Sequence, residues 1–357
     1  MLHWLQDSFD CCQNPGHGTP RPNDRYIVRR SRHTEAGCAV GSRHTEAGCA
    51  VGMYHTEAGC AVGDYTIIRC LAQGTAVFEV QSNGSEDKFA AKRMRDIEGA
   101  VDEYKLLQQL DHPNIVRAYC LQREYSLCWI VLELVEGLSL REWLTIDPSR
   151  VRQNTLNYAR QLVDAVEYLH SQSIVHRDLK PENIMLSQPT ERGHVKLIDL
   201  GLGAKVCKGE RLYTICGTPG YLAPEIILCD RGLQTGYDGF AVDMWGAGLV
   251  VLIMLARANQ LCETDRLGMR HLPASTPHCV QEFLDCLLVK NPSQRWTAEL
   301  ALNSQWLTEG HHLLEKQIPF VSSQSRAPNQ MPLARITFVL KLLLRRILPA
   351  KRHHPLH

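Results

Sequence analysis

The stretch HRDLKPENIML at 176–186, followed by HVKLIDLGLG at 194–203, decides how the rest of this 357-residue chain is read. It sets acids, a lysine and an amide at short intervals, and the second stretch adds an acid directly after an apolar strand. Moving a phosphoryl group requires a group to orient the accepting hydroxyl, ligands for metal ions that screen the phosphates, and cations on the oxygens. Asp178 can accept the hydroxyl's hydrogen bond, and Lys180 can reach the transferred group. Asn183, five residues on, offers an amide oxygen to a metal. Asp199, after VKLI, offers a carboxylate to the same cluster. Each is an ordinary surface residue on its own; together, in this order and spacing, they point to one site.

Outward from that centre the chain changes texture. Residues 65–92 read as short strands, YTIIRCL, AVFEV and KFAAKRM, with the turn-former SNGSED before the last. Helical periods follow at Glu98–Leu110 and at 155–170, where Leu156, Ala159, Leu162, Val163, Val166 and Leu169 share a face. The long apolar segment Ala241–Leu255 is expected to be a buried helix. Strands first and helices after imply an α+β fold, a small antiparallel β-rich lobe preceding a larger helical one.

These residues resemble the eukaryotic protein kinases, whose signature set they carry in order over about Tyr65 to Leu307. The resemblance implies a bilobal catalytic domain at 64–307 that uses ATP and Mg2+. By it, Ala90-Ala91-Lys92 is the strand whose Lys92 meets the nucleotide phosphates, and Glu103 is its helix partner, with Glu98 in reserve. Asp199-Leu200-Gly201 stands where the family has Asp-Phe-Gly, and Asp199 joins Asn183 as a metal ligand. GTPGYLAPE at 217–225 closes the activation segment. Glu225 is expected to pair with Arg295, and Asp243 to bond the backbone of the catalytic loop. Leu132 would guard the pocket, and the backbones of Glu133 and Val135 would meet the adenine edge.

The nucleotide loop departs from the family pattern. In LAQGTAVFEV, Leu71 precedes Ala72 at the first glycine position and Gly74 at the second. Val77 or Ala76 stands at the third, and Val80 comes one residue late. Bare backbone N–H groups approach phosphate best, so weak nucleotide affinity is expected. The rival reading is a pseudokinase that keeps the fold as a scaffold.

Lys180 together with Thr218 resembles the Ser/Thr-directed kinases, and YTICGTPGYLAPE looks most like the cAMP-dependent and calmodulin-dependent branches. Thr218 would brace Asp178 and Lys180. Glu182 matches an acid used there against basic protein substrates, while Ser139 and Ile253 replace two others. Arg177 precedes the catalytic Asp, and Thr214, with Tyr213 as neighbour, is the position at which a phosphate would meet it. The chain between Leu255 and Phe283 is short for the family, and CDRGLQTGYDGF carries extra residues; both bear on substrate docking.

Composition bounds the rest. Thirty-nine Lys and Arg against 38 Asp and Glu leave a net charge of +1, so no nucleic-acid partner is expected. Fourteen scattered Cys, and an N-terminus without a secretory pattern, favour free thiols in a reducing, cytoplasmic compartment. Residues 1–63 read as a flexible extension in which an 11-residue unit runs at 31–41, 42–52 and 53–63. Its His33, Cys38, His44, Cys49, His55 and Cys60 fit no usual zinc spacing. The tail 308–357 is basic, and LARITFVLKLLLRRIL at 333–348 is a candidate amphipathic helix. Its partners would be calmodulin, an anionic membrane surface or the helical lobe itself.

Overall fold

The computed structural model describes residues 58–71, 76–124, 126–256 and 276–310. They belong to one compact unit, Met1–Gly310, while the second unit, His311–His357, lies outside the described residues together with the tail helix expected at 333–348.

The first lobe is a six-stranded antiparallel sheet of β1 (Ala61–Val62), β2 (Tyr65–Cys70), β3 (Val77–Ser82), β4 (Lys88–Met94), β5 (Ala118–Glu124) and β6 (Leu127–Glu133), in the order β1-β2-β3-β4-β6-β5. Alternation along the strands gathers Ile67, Phe78, Val80, Ala91 and Trp129 on one face as a core. The expected boundary at 63 needs correction here. Gly59 donates to Ile67 O and Ile67 donates to Cys60 O, both at 2.8 Å, and Val62 is 1% exposed within that core. The end of the third repeat is thus a strand of the sheet, because one buried valine and two ladder bonds are enough to seat it. The repeats up to residue 57, with every His and Cys named above except Cys60, lie outside the described residues.

Helix α1 (Ile97–Leu107) packs on β5 and β6. Asp96 caps it by accepting from Gly99 N, and Ala100, Glu103 and Leu107 fall on its buried face at helical spacing. That face places an acid, Glu103, toward the sheet.

The second lobe is helical: α2 (Leu140–Ile146), α3 (Pro148–Gln153), α4 (Thr155–Ser171), α5 (Pro224–Asp230), α6 (Gly239–Leu255), α7 (His278–Leu287) and α8 (Ala298–Leu302), with a further helical turn at 305–310. A reciprocal box between Ser139 and Glu142 starts α2. Apolar residues cover all sides of α6, which is buried almost throughout, as such a helix must be. Short strands β7 (Leu138–Ser139), β8 (Ile174–Val175), β9 (Ile184–Leu186), β10 (Val195–Leu197) and β11 (Ala204–Lys205) form two small ladders, β10-β9-β7 and β11-β8, beside the helices. They carry the two decisive stretches: the loop between β8 and β9 holds 176–183, and the one after β10 holds Asp199. Among the described residues no helix is long and apolar enough to cross a membrane.

Candidate active site

Three side chains meet across the cleft. Lys92, on β4, donates to both carboxylate oxygens of Glu103 and to Asp199 Oδ1, each at 2.7 Å. Glu103, not the exposed Glu98, is therefore the helix partner that the structure brings to Lys92. Burial alone would lower the Lys92 pKa, but the carboxylates of Asp199 and Glu103 outweigh it and raise it. Burial likewise pushes the Asp199 carboxyl up, and Lys92 with the Gly201 N–H more than reverses this, holding it well below the ordinary range. Gly201 lies directly against this cluster. A Cβ there would stand 2.9 Å from Asp199 Oδ1, 3.1 Å from Glu103 Oε2 and 3.3 Å from Lys92 Nζ.

The loop between β8 and β9 closes a second cluster. Lys180 Nζ donates to Asp178 Oδ2 at 2.6 Å and to Thr218 Oγ1 at 2.5 Å, and Thr218 donates to Asp178 Oδ1 at 2.7 Å. Asn183 spends its amide N–H on Asp178 O at 2.9 Å, which leaves its oxygen as the atom for a cation. Arg177 and Asp199 sit at φ 64° and 66°, a left-handed backbone that costs on the order of 1–3 kcal/mol per residue and must be held from outside. For Arg177 the holder is Asp243, which accepts from His176 N at 2.8 Å and Arg177 N at 2.7 Å and also touches His170 Nε2. Glu225 and Arg295 form a fully buried two-pronged pair at 2.6 and 3.1 Å, fixing the end of the activation segment to the helical lobe.

An oxygen-only set of a carboxylate and an amide suits Mg2+, a hard cation. Asp199 and Asn183 are the residues that would hold it.

Among the residues expected to meet a nucleotide the placement is less uniform. Leu132 stands opposite Ala90 in the sheet, and Glu133 ends β6, its carboxylate paired with Lys196 at 2.7 Å. Val135 follows in the linker, and Leu71 caps the loop with an N–H to Val77 O at 3.0 Å. Ala72 and Gly74 lie outside the described residues. Val80 requires a correction. The ladder sets Val77 opposite Lys92 and Glu79 opposite Ala90, so these four share the cleft face, while Val80 packs in the core on the other side with Phe78 and Ala91. A strand's period of two allows no residue to come one late, and Glu79 takes the cleft position.

Of the residues expected to bear on protein substrates, Glu182 faces Arg141 at 3.8 Å, Ser139 is occupied as the α2 cap, and Ile253 lies on α6. The segment between Leu255 and α7 lies mostly outside the described residues. Thr214 is half-buried, and its carbonyl rather than its hydroxyl is engaged: Tyr237 donates to it at 2.6 Å. Arg177 bonds Leu202 O at 2.5 Å and reaches the Tyr237 hydroxyl at 3.4 Å. Sequence reading missed Tyr237, which is fully buried and also pairs its backbone with Leu212. It missed His170 as well. An aromatic flanked by Gly236 and Gly239, in GYDGF, was the available signal for Tyr237; His170 offered none.

The protein kinase domain family matches residues 65–307, and the chain belongs to that family, whose members use ATP and Mg2+. The chain is 33% identical over 218 residues to sperm motility kinase 3A of Mus musculus, covering 59% of this chain and 42% of that protein. It is 32% identical over 266 residues to a probable myosin light chain kinase of Dictyostelium discoideum, covering 70% of this chain and 84% of that protein. The serine/threonine-protein kinase kin-29 of Caenorhabditis elegans is 34% identical over 214 residues, 57% of this chain and 25% of its own length.

Proposed function

We propose that the chain transfers the γ-phosphoryl group of Mg2+-bound ATP to Ser or Thr hydroxyls of protein substrates. The observation that carries this is the triangle of Asp178, Lys180 and Thr218, closed by bonds of 2.5–2.7 Å beside the Lys92–Glu103–Asp199 cluster. In it Asp178 takes the hydrogen bond of an incoming hydroxyl, orienting it for in-line attack and accepting its proton. Lys180 places positive charge on the group in transit. Lys92, fixed by Glu103, positions the nucleotide phosphates, and Asn183 and Asp199 hold the cation. The bound Mg2+ supplies screening of the phosphate charge. Thr218 narrows the site beside Lys180, which fits a short aliphatic hydroxyl rather than a tyrosine. The name of the Ser/Thr-directed relative supports the same choice.

Incubation with radiolabelled ATP and a mixed protein substrate tests the reading. Wild type should label Ser and Thr, and Asp178→Ala should lose label roughly a thousandfold, the scale of a lost general base. Equal labelling by both proteins, or phosphotyrosine as the product, would refute it.

The second reading, a scaffold with weak nucleotide binding, is favoured by a single observation, the carboxylate of Glu79 on the cleft face. We also propose a reducing, cytoplasmic compartment, on the scatter of fourteen cysteines along the sequence. For the tail we propose calmodulin or an anionic membrane as partner, tested with a 331–350 peptide by calcium-dependent binding and by liposome sedimentation.

A further inference from the structure

The cleft face of the sheet carries a charged group with no part in the transfer chemistry. Glu79 stands opposite Ala90, and Val77, two residues before it, stands opposite Lys92. On the far side of β4, Ala90 pairs with Leu132 and Phe89 with Glu133, so this end of the face adjoins the linker between the lobes. Lys92, which reaches Asp199 and the catalytic side, marks the phosphate end. Glu79 therefore overhangs the end where a base and ribose would lie.

Glu79 is 4% exposed. Its Oε2 lies 2.6 Å from Arg69 and its Oε1 lies 3.1 Å from Lys88, cations whose own side chains are 63% and 52% exposed. Burial raises its pKa, but the two cations outweigh burial and lower it, so the carboxylate is ionised at neutral pH. Binding pockets for small molecules are lined mainly by apolar groups because a flat ring gains from displacing water against them. A carboxylate in that place contributes no such contact. It must keep its two cations while a ligand enters beneath it, and it adds negative charge beside an anionic ligand.

We propose that Glu79 limits nucleotide affinity in this chain, by placing an ionised group over the base and ribose where an apolar side chain would bind them. The inference rests on the kinase reading for the position of the nucleotide.

Equilibrium binding of ATP and of adenosine to the full chain tests it, in wild type, Glu79→Val, Glu79→Gln, Arg69→Gln and Lys92→Ala. Glu79→Val should tighten both ligands about tenfold, the scale of one buried aliphatic side chain. Glu79→Gln, which removes charge but stays polar, should tighten ATP more than adenosine. Arg69→Gln strips a cation from the carboxylate and should weaken ATP about threefold, without deleting any core atom. Adenosine binding that is unchanged or weaker in Glu79→Val overturns the proposal, as does tighter ATP binding in Arg69→Gln. Lys92→Ala separates the two readings. It should weaken ATP and leave adenosine unchanged. If it alters neither while Glu79→Val still tightens adenosine, the kinase placement of the phosphates falls and the role of Glu79 stands.

Discussion

The catalytic loop and the sheet above the cleft belong to one molecule but differ in how their charges are used. Around Asp178, the side chains of Lys180, Thr218 and Asn183 hold one another and the aspartate by hydrogen bonds of 2.5–3.4 Å. Above the cleft, the charges of Glu79, Arg69 and Lys88 are spent on one another. The first arrangement is a preorganised site of the kind that lowers a barrier. The second is a charged cluster, one carboxylate between two cations, that offers a ring little to pack against. On the reading proposed above, transfer chemistry belongs mainly to the helical lobe and nucleotide affinity to the sheet, and one can be complete while the other is weak.

Breaking the scaffold of the helical lobe should have the largest effect on stability. Arg295→Ala leaves Glu225 buried and unpaired, which costs about 3–5 kcal/mol, read as a fall in the urea midpoint. A loss below about 1 kcal/mol would show that the pair does not anchor the activation segment. In the sheet, Val62→Ala should cost about 1–2 kcal/mol by opening a cavity beside Ile67 and Trp129. It should also speed hydrogen exchange at the Ile67 amide, which donates to Cys60 O. Unchanged exchange there would return the third repeat to the extension.

Tyr237→Phe sharpens the contrast within the helical lobe. It removes the bond to Thr214 O and should cost about 1 kcal/mol, with faster exchange over 212–218 and none of the change over β1–β4. Uniform loosening of both lobes would contradict a local brace.

The smallest effect is the pH dependence of the cluster that joins the two regions. The Asp199 pKa is lowered from its ordinary 3.8, so its contribution is present above that value and is lost as pH falls toward the folded pKa. The Lys92 pKa is raised from 10.5, so its contribution is present below that value and is lost as pH rises through the folded pKa. Stability from this cluster should hold between about pH 4 and 10 and fall outside it by on the order of 1 kcal/mol. Asp199→Asn should flatten the acid side of the urea-midpoint profile; an unchanged acid limb would assign it to other carboxylates.

Much of the helical lobe was legible because its function is written in side chains at short spacing. Asp178, Lys180 and Asn183 lie within six residues, and their loop geometry follows from Asp243 gripping the backbone. The apolar periods gave α4 and α6 to within a residue or two. Glu103 was separable from Glu98 only by which face of α1 is buried, a tertiary fact. The sheet was harder to read. Its ladder has a bulge between Ile67 and Arg69, and counting along one strand cannot tell which face meets the cleft, so Val80 was placed where Glu79 stands. The strand at Ala61–Val62 was hidden because it shares its letters with repeats that precede it. Tyr237 acts through a backbone carbonyl, which leaves no partner residue type to search for.

With the proposed role of Glu79, an assembled transfer machinery should coexist with a nucleotide affinity limited by the roof of the cleft. Steady-state kinetics with ATP varied at saturating protein acceptor test it most directly. The expected outcome is a kcat within the kinase range of about 1–100 s−1 together with a KM for ATP above about 1 mM. Tight, micromolar ATP binding with no turnover above that of Asp178→Ala would contradict it.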